Sequence, residues 1–263
     1  MSGGPDMSRA LHILSRALQP RYAGEAVRKA IGRLGAGRAA QDARRMQAWC
    51  RAHESDVEAF ARARNAPLWE EALAFAVEQR VRAEALAQSL SGFGGGGFYA
   101  LLYFLVRLQP PEVVVETGVA AGFSSRAVLR ALAANGRGGL WSSDLPYFGG
   151  QAPEALIGVM VEPELRERWT LLTHGDRANL PKILQQIDRI DLLHYDSDKT
   201  VSGRAWALEQ ARPRLAPGAF VLFDDIQDNL HFAELAGKTP YRSHVFGFEG
   251  KWIGLVEWGE GAA

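Results

Sequence analysis

The 263-residue sequence has one cysteine, no excess of either charge and no apolar run longer than the stretch 98–106. Cys50 alone cannot form an internal disulfide, and no Cys/His cluster has the spacing of a zinc site. The run 98–106 stops at Arg107, well short of the about 20 residues a membrane-spanning helix needs. The opening residues lack a basic-then-apolar signal pattern, with Met7 as an alternative natural start, so a reducing, cytoplasmic setting is expected. The 30 Lys+Arg balance 30 Asp+Glu, and 47% of residues are apolar, which excludes a disordered chain. The glycines at 92–97 lack the lysine and Ser/Thr of a phosphate-binding loop, and read as a flexible joint.

What is present falls into two regimes that meet near residue 92. Residues 1–65 hold twelve Lys/Arg and six Asp/Glu. The arginines are spread through Ala/Leu-rich sequence without an aromatic ladder or a block of like charge. A solvated helix face or a subunit contact is therefore favoured over nucleic acid as their role. Residues that lose little rotamer freedom in a helix dominate here, so helices are expected. Ser55 and Glu58 have the spacing of a capping box, and Asn65 and Pro67 punctuate the chain before a second helix over 68–90. A short apolar helix follows at 98–108. Residues 1–92 thus read as a helical N-terminal extension, either a cover over a site or a homodimer contact, ahead of a main domain at 93–263.

After residue 111, short β-rich runs alternate with helical ones. Strands are predicted at 112–116, 139–143, 170–174, 191–196 and 219–223, with helices at 123–135, 152–167, 178–187, 201–213 and 228–236. Two further runs, 241–248 and 251–258, flank Glu249-Gly250 as a hairpin. Repeated βα units imply an α/β fold: a Rossmann-like, seven-stranded, doubly wound sheet, mostly parallel, with an antiparallel terminal hairpin.

Ligands of such sheets bind at the C-terminal strand ends. The first strand ends in Glu116-Thr-Gly118-Val-Ala-Ala-Gly122-Phe-Ser124. Gly118 allows a tight turn and close ligand approach, and Gly122 opens a helix whose free N–H groups favour an anion. The spacing is not the Gly-x-Gly-x-x-Gly of dinucleotide folds, which disfavours a pyridine-nucleotide oxidoreductase. Asp144, ending the second strand, can accept both hydroxyls of a ribose, and Asp176, after the third, can read an adenine amino group. The fourth strand runs into His194-Tyr-Asp196-Ser-Asp198-Lys199 and the fifth into Phe223-Asp224-Asp225. If those strands are neighbours, about 4.8 Å apart, then Asp196, Asp224 and Asp225 converge. Three crowded carboxylates call for a cation, and oxygen-only ligands suit Mg²⁺, with Mn²⁺ next. Against this stands the possibility that Asp198 or Asp225 only caps a helix and that Asp196 only pairs with Lys199 or Arg204.

These residues resemble the class I S-adenosylmethionine-dependent methyltransferases over roughly 93–258. Glu116-x-Gly-x-x-x-Gly122-x-Ser124 is similar to the first motif of the catechol, caffeoyl-CoA and sugar O-methyltransferases, and Asp196-Ser-Asp-Lys199 resembles the Asp-Ala-Asp-Lys of the metal-dependent ones. The resemblance implies Glu116 and Gly118 beside the methionine part of the cofactor, Asp144 on its ribose, Asp176 on its adenine and Asp196 on metal. The usual Asp-Asn of the fifth strand is Asp224-Asp225 here, nearer to the sugar-modifying relatives.

The reaction implied is methyl transfer to a hydroxyl of a small molecule, a phenol or a sugar of a natural product. Asp198, Lys199 and His231 are candidates for the base, while His194 is expected in the core. Tyr147, Phe148, Trp252 and Trp258 are either pocket walls or packing. The competing readings are a metal-independent N- or carboxyl-methyltransferase, a hydroxylase of the same superfamily, and a non-catalytic cofactor-binding partner whose basic arm holds nucleic acid.

Overall fold

A computed structural model of the chain describes residues 36–86, 97–145, 153–238 and 241–259. The arm before residue 36, the glycine joint up to residue 96, and Tyr147 and Phe148 lie outside them. Within the described residues the order is α1 (Ala36–His53), α2 (Val57–Ala85), α3 (Tyr99–Leu108), β1 (Val113–Thr117), α4 (Phe123–Asn135), β2 (Gly139–Ser143), α5 (Pro153–Leu156) and β3 (Trp169–Leu172). Then come α6 (Asp176–Leu184), β4 (Ile190–Tyr195), α7 (Val201–Ala211), β5 (Leu215–Phe223), α8 (His231–Ala236), β6 (Arg242–Phe248) and β7 (Lys251–Glu257).

The seven strands form one sheet in the order β3-β2-β1-β4-β5-β7-β6. Strands β1 to β5 pair in parallel. The terminal hairpin folds back so that β7 runs antiparallel between β5 and β6. In β1, Val114 and Val115 point to opposite faces, yet both are buried. Val114 joins a core with Phe75, Leu102 and Leu129 of α2, α3 and α4. Val115 joins one with Met46 of α1, Leu180 of α6, Leu208 of α7 and Phe232 of α8. A sheet covered on both faces explains why its strands read as continuous Val/Ile/Leu runs. No helix of the described residues is long and apolar enough to cross a membrane.

Three local expectations are corrected. Asp56, not Ser55, caps α2: its Oδ1 accepts from Glu58 N at 2.8 Å and Ala59 N at 3.1 Å. The Ser55 amide instead donates to Val245 O at 2.7 Å, a tertiary bond that local spacing does not reveal. Asn65 and Pro67 do punctuate the chain, but as a kink within α2. Asn65 leaves the helical region at φ −165° and its side chain caps Leu68 N at 3.1 Å. The helix expected over 152–167 is broken into α5 and the 3-10 turn Pro163–Arg168. Between them Gly158 adopts φ +71°, and the amides of Gly158 and Met160 donate to Ala120 O and Ala121 O, each at 2.9 Å. Docking on the loop after β1 overrides helix propensity there.

The described part of the N-terminal region is integral to both cores. Arg126 of α4, buried, donates to Glu78 at 2.5 Å, to Gln79 at 2.8 Å and to Glu162 at 2.6 Å. It ties α2, α4 and the segment before β3 together. On the other face, Glu54 at the end of α1 accepts from Trp252 Nε1 at 2.7 Å. Trp258 is buried against Tyr241, with ring centres 4.5 Å apart. Both tryptophans make packing contacts at the terminal hairpin.

Candidate active site

The C-terminal strand ends are laced by their backbones. Asp144 N donates to Leu172 O, Gly118 N to Ser143 O, Asp196 N to Thr117 O and Asp224 N to Tyr195 O, at 2.8–3.0 Å. Each acid thus sits one residue past its strand, held by the neighbouring one. Gly118 has φ +83°, and a Cβ there would lie 2.3 Å from Asp196 O. Gly122, the left-handed N-cap of α4, has φ +88°, and its Cβ would lie 2.8 Å from the Gly158 Cα. The space at Gly118, expected from the sequence to admit a ligand, is filled by the backbone that carries the acidic cluster.

Glu116 is fully buried, with both oxygens engaged. Oε1 accepts from Ser124 Oγ at 2.6 Å, and Oε2 from Ser125 Oγ at 2.6 Å and Ser142 Oγ at 2.8 Å. His194 Nδ1 lies 3.5 Å from Oε1, inside the core as expected. Burial alone would favour the neutral imidazole, but the Glu116 carboxylate, with Asp196 and Asp224, holds its pKa above the ordinary value.

Asp144 is pinned by two amides, Ala120 N at 2.8 Å and Leu145 N at 2.7 Å, and its carboxyl remains partly exposed. Desolvation raises its pKa to about 6 against the pull of those amides, with Asp176 and Glu116 adding to the rise. Asp176 accepts from Ser143 Oγ at 2.7 Å and from Ser197 Oγ. Asn179, absent from the sequence expectations, is buried beneath. Its Nδ2 donates to Ser143 Oγ at 3.0 Å and Leu172 O at 2.9 Å, clamping the ends of β2 and β3. An asparagine inside an ordinary helical run carries no signal of this in sequence.

On the other side of β1, the ends of β4 and β5 bring three carboxylates together. One oxygen each of Asp196, Asp224 and Asp225 lies within 4.8 Å of the others. Two lysines face them. Lys199 Nζ bonds Asp196 Oδ1 and sits 2.8 Å from Asp225 Oδ2. Lys251 Nζ sits 3.4 Å from Asp225 Oδ1 and 3.7 Å from Asp224 Oδ2. Asp224 is 3% exposed, and its Oδ1 has no hydrogen-bond partner among the described residues. Burial, then Asp196, pushes its carboxyl to about 6, opposed by Lys199. Asp225 is half-buried, and desolvation works upward there too, but Lys199 and Lys251 bring its pKa below the usual value. It adopts φ +50° and makes no side-chain cap, so the capping alternative does not describe it.

The base candidates fare differently. Burial disfavours the Lys199 charge, yet the three carboxylates together raise its pKa, so the group stays an ammonium and does not withdraw protons as the structure stands. Asp198 accepts from Thr200 N at 3.0 Å, a turn contact just before α7, whose N-cap is Thr200. His231 is buried in the first turn of α8, and its pKa falls to about 4 through desolvation, then through Arg204 and Lys238. It is therefore neutral near pH 7. Arg204, expected from the sequence only as a possible partner of Asp196, is wholly buried and donates from Nη2 to the carbonyls of Asp224 at 2.9 Å and Asp225 at 2.8 Å. It fixes the backbone of the acidic pair from below.

A sheet in this order, with an antiparallel strand inserted beside β5 and acids at successive strand ends around a glycine turn, has the Rossmann-like fold of the solved S-adenosylmethionine-dependent methyltransferases. Residues 115–226 match the family model described as a methyltransferase domain, and the resemblance read from the sequence is borne out. Among solved structures, an O-methyltransferase from Bacillus cereus, in complex with SAH, is similar at TM-score 0.53 and 19% identity, over 73% of this chain and 90% of that one. The O-methyltransferase TomG from Streptomyces achromogenes, involved in tomaymycin synthesis and in complex with SAM, is similar at TM-score 0.55 and 17% identity, over 68% and 89%. A methyltransferase from Geobacter sulfurreducens gives TM-score 0.51 and 17% identity, over 68% and 88%. At these identities the likeness is one of fold. No curated protein matches the chain.

Proposed function

We propose that this protein methylates a hydroxyl oxygen of a small molecule, taking the methyl group from S-adenosylmethionine with the help of a divalent cation. The observation that carries the reading is the buried Asp224 Oδ1, left without a hydrogen-bond partner among the described residues at the meeting point of three carboxylates. A carboxylate oxygen in that state is costly unless a cation is part of the site. The donor set is all oxygen, which fits Mg²⁺ or Mn²⁺, with Asp196, Asp224 and Asp225 as the holders. Asp144, fixed by two amides with its carboxyl still reachable, suits a ribose diol, and Asp176 beside it suits the adenine edge. Both solved O-methyltransferases cited above have SAM or SAH bound, which supports the same donor here.

The chemistry is a displacement in which the O–CH₃ bond forms as the S–CH₃ bond breaks and the sulfonium becomes a neutral thioether. A divalent ion, when bound, lowers the pKa of a coordinated hydroxyl. The chain's own residues supply the rest. Thr117 O and Tyr195 O hold the amides of Asp196 and Asp224, so the acids keep their spacing from the turn after β1. Arg204 fixes the carbonyls of the acidic pair. Lys199, kept charged, stabilises an acceptor oxyanion, and an acceptor proton leaves to a carboxylate or to solvent. A second reading, metal-independent transfer, is favoured by the position of Lys199, whose ammonium already lies among the carboxylates.

Calorimetry with S-adenosylhomocysteine and with Mn²⁺, followed by turnover of a panel of catechols and vicinal diols with and without a chelator, tests the proposal. Asp196→Ala is expected to abolish Mn²⁺ binding and to leave S-adenosylhomocysteine affinity within about threefold. Turnover that survives both the chelator and this substitution would establish the second reading instead. The described part of the N-terminal region fits a structural role, and a homodimer contact or a cover would have to come from its outer face. We place the protein among soluble, cytoplasmic enzymes acting on small molecules.

A further inference from the structure

Lys251 belongs to none of the motifs at the ends of β4 and β5, yet it reaches the same carboxylates. It opens β7 directly after the left-handed turn Glu249-Gly250. Its neighbour Trp252 is fastened twice, through its amide to Gln227 Oε1 at 3.0 Å and through Nε1 to Glu54 Oε2 at 2.7 Å. The base of the lysine is therefore fixed, and only its stem is free. Its Nζ stands 3.4 Å from Asp225 Oδ1 and 3.7 Å from Asp224 Oδ2, beyond good hydrogen-bond length, with the side chain 37% exposed. Lys199, by contrast, is in direct contact with Asp196 and Asp225. Two ammonium groups thus face three carboxylates, and Asp224 Oδ1 still has no hydrogen-bond partner among the described residues.

We propose that Lys251 is a resident counter-ion that competes with a divalent cation for the Asp224–Asp225 pair and so sets how tightly the site takes the ion. The inference rests on the divalent-cation reading above. With both lysines in place, a doubly charged ion leaves the cluster with one positive charge in excess, and the Lys251 ammonium is repelled toward water. Removing that ammonium leaves the loaded cluster neutral, so binding tightens. A residue that served only to pack the hairpin would not give this direction of change.

The test is titration of the full chain with Mn²⁺ alone, for the wild type, Lys251→Met and Lys251→Arg, at two salt concentrations. Lys251→Met is expected to bind Mn²⁺ about tenfold more tightly, with the gain shrinking at high salt, because the interaction lies near solvent. Lys251→Arg keeps the charge and is expected to stay within about twofold of the wild type. Unchanged or weaker binding by a Lys251→Met protein with native melting behaviour, beside a wild type that binds, overturns the inference alone. If neither wild type nor Lys251→Met binds Mn²⁺, the divalent-cation reading falls and the inference falls with it. Binding by Lys251→Met only supports both.

Discussion

Replacing Gly118 by alanine puts the reading of the strand ends to a quantitative test. The new Cβ would stand 2.3 Å from Asp196 O and 2.7 Å from its carbonyl carbon, both backbone atoms. Relief requires the turn after β4 to retreat by about 1 Å, since ordinary carbon–oxygen contacts begin near 3.3 Å. The position also has φ +83°, where a side chain costs about 1–2 kcal/mol. Gly136 separates the two effects: it has φ +70°, and an added methyl group there would meet nothing within 4 Å. Gly136→Ala should therefore cost about 1 kcal/mol, and Gly118→Ala about 3 kcal/mol. For a chain of this size the second corresponds to roughly 6–12 °C in melting temperature. Because Ser197, on the displaced turn, bonds Asp176, Gly118→Ala should weaken S-adenosylhomocysteine and Mn²⁺ binding together, measured by calorimetry. Equal stability losses at the two glycines, or unchanged binding of both ligands, would refute the close-approach explanation.

Two more outcomes are expected. Arg126→Met strips the buried Gln79 Oε1 of its donor and leaves Glu162 only the more distant Arg82, at 3.6 Å, and should cost about 3 kcal/mol in urea unfolding. His231 has a folded pKa of about 4 against an ordinary 6.5, so its contribution is complete above pH 6.5 and is lost as pH falls toward 4. His231→Gln should flatten the stability profile across that window, by a few kcal/mol at its lower end, as read from denaturant midpoints at stepped pH.

The strands and most of the acids were legible because both are local signals. A run such as Val113-Val-Val115 followed by an acid and glycines announces a buried strand and its end. Asp196 and Asp224 then converge because consecutive βα units place β4 beside β5. What escaped notice depends on contacts distant in sequence. The break at Gly158 comes from docking on Ala120, and the capping role passes from Ser55 to Asp56 because Val245 claims the serine amide. Lys251 has unremarkable neighbours in sequence, and only the hairpin brings it to the acids; Arg204 stands near Asp196 in sequence, but its bonds to the carbonyls of Asp224 and Asp225 come from the packing of α7 on β5. Glu116 stands out in the sequence, whereas the three serines that donate to it, two on α4 and one on β2, meet it only in the folded sheet.

The amide links that run from Leu172 through Ser143, Thr117 and Tyr195 make the upper edge of the sheet a ruler whose divisions are the strand spacing of about 4.8 Å. Methyl donor and methyl acceptor would be gauged against the same backbone graduations, independent of any surface loop. Descendants of such a protein are thereby free to rewrite their loops for new acceptors without having to recalibrate the distance across which the group is passed.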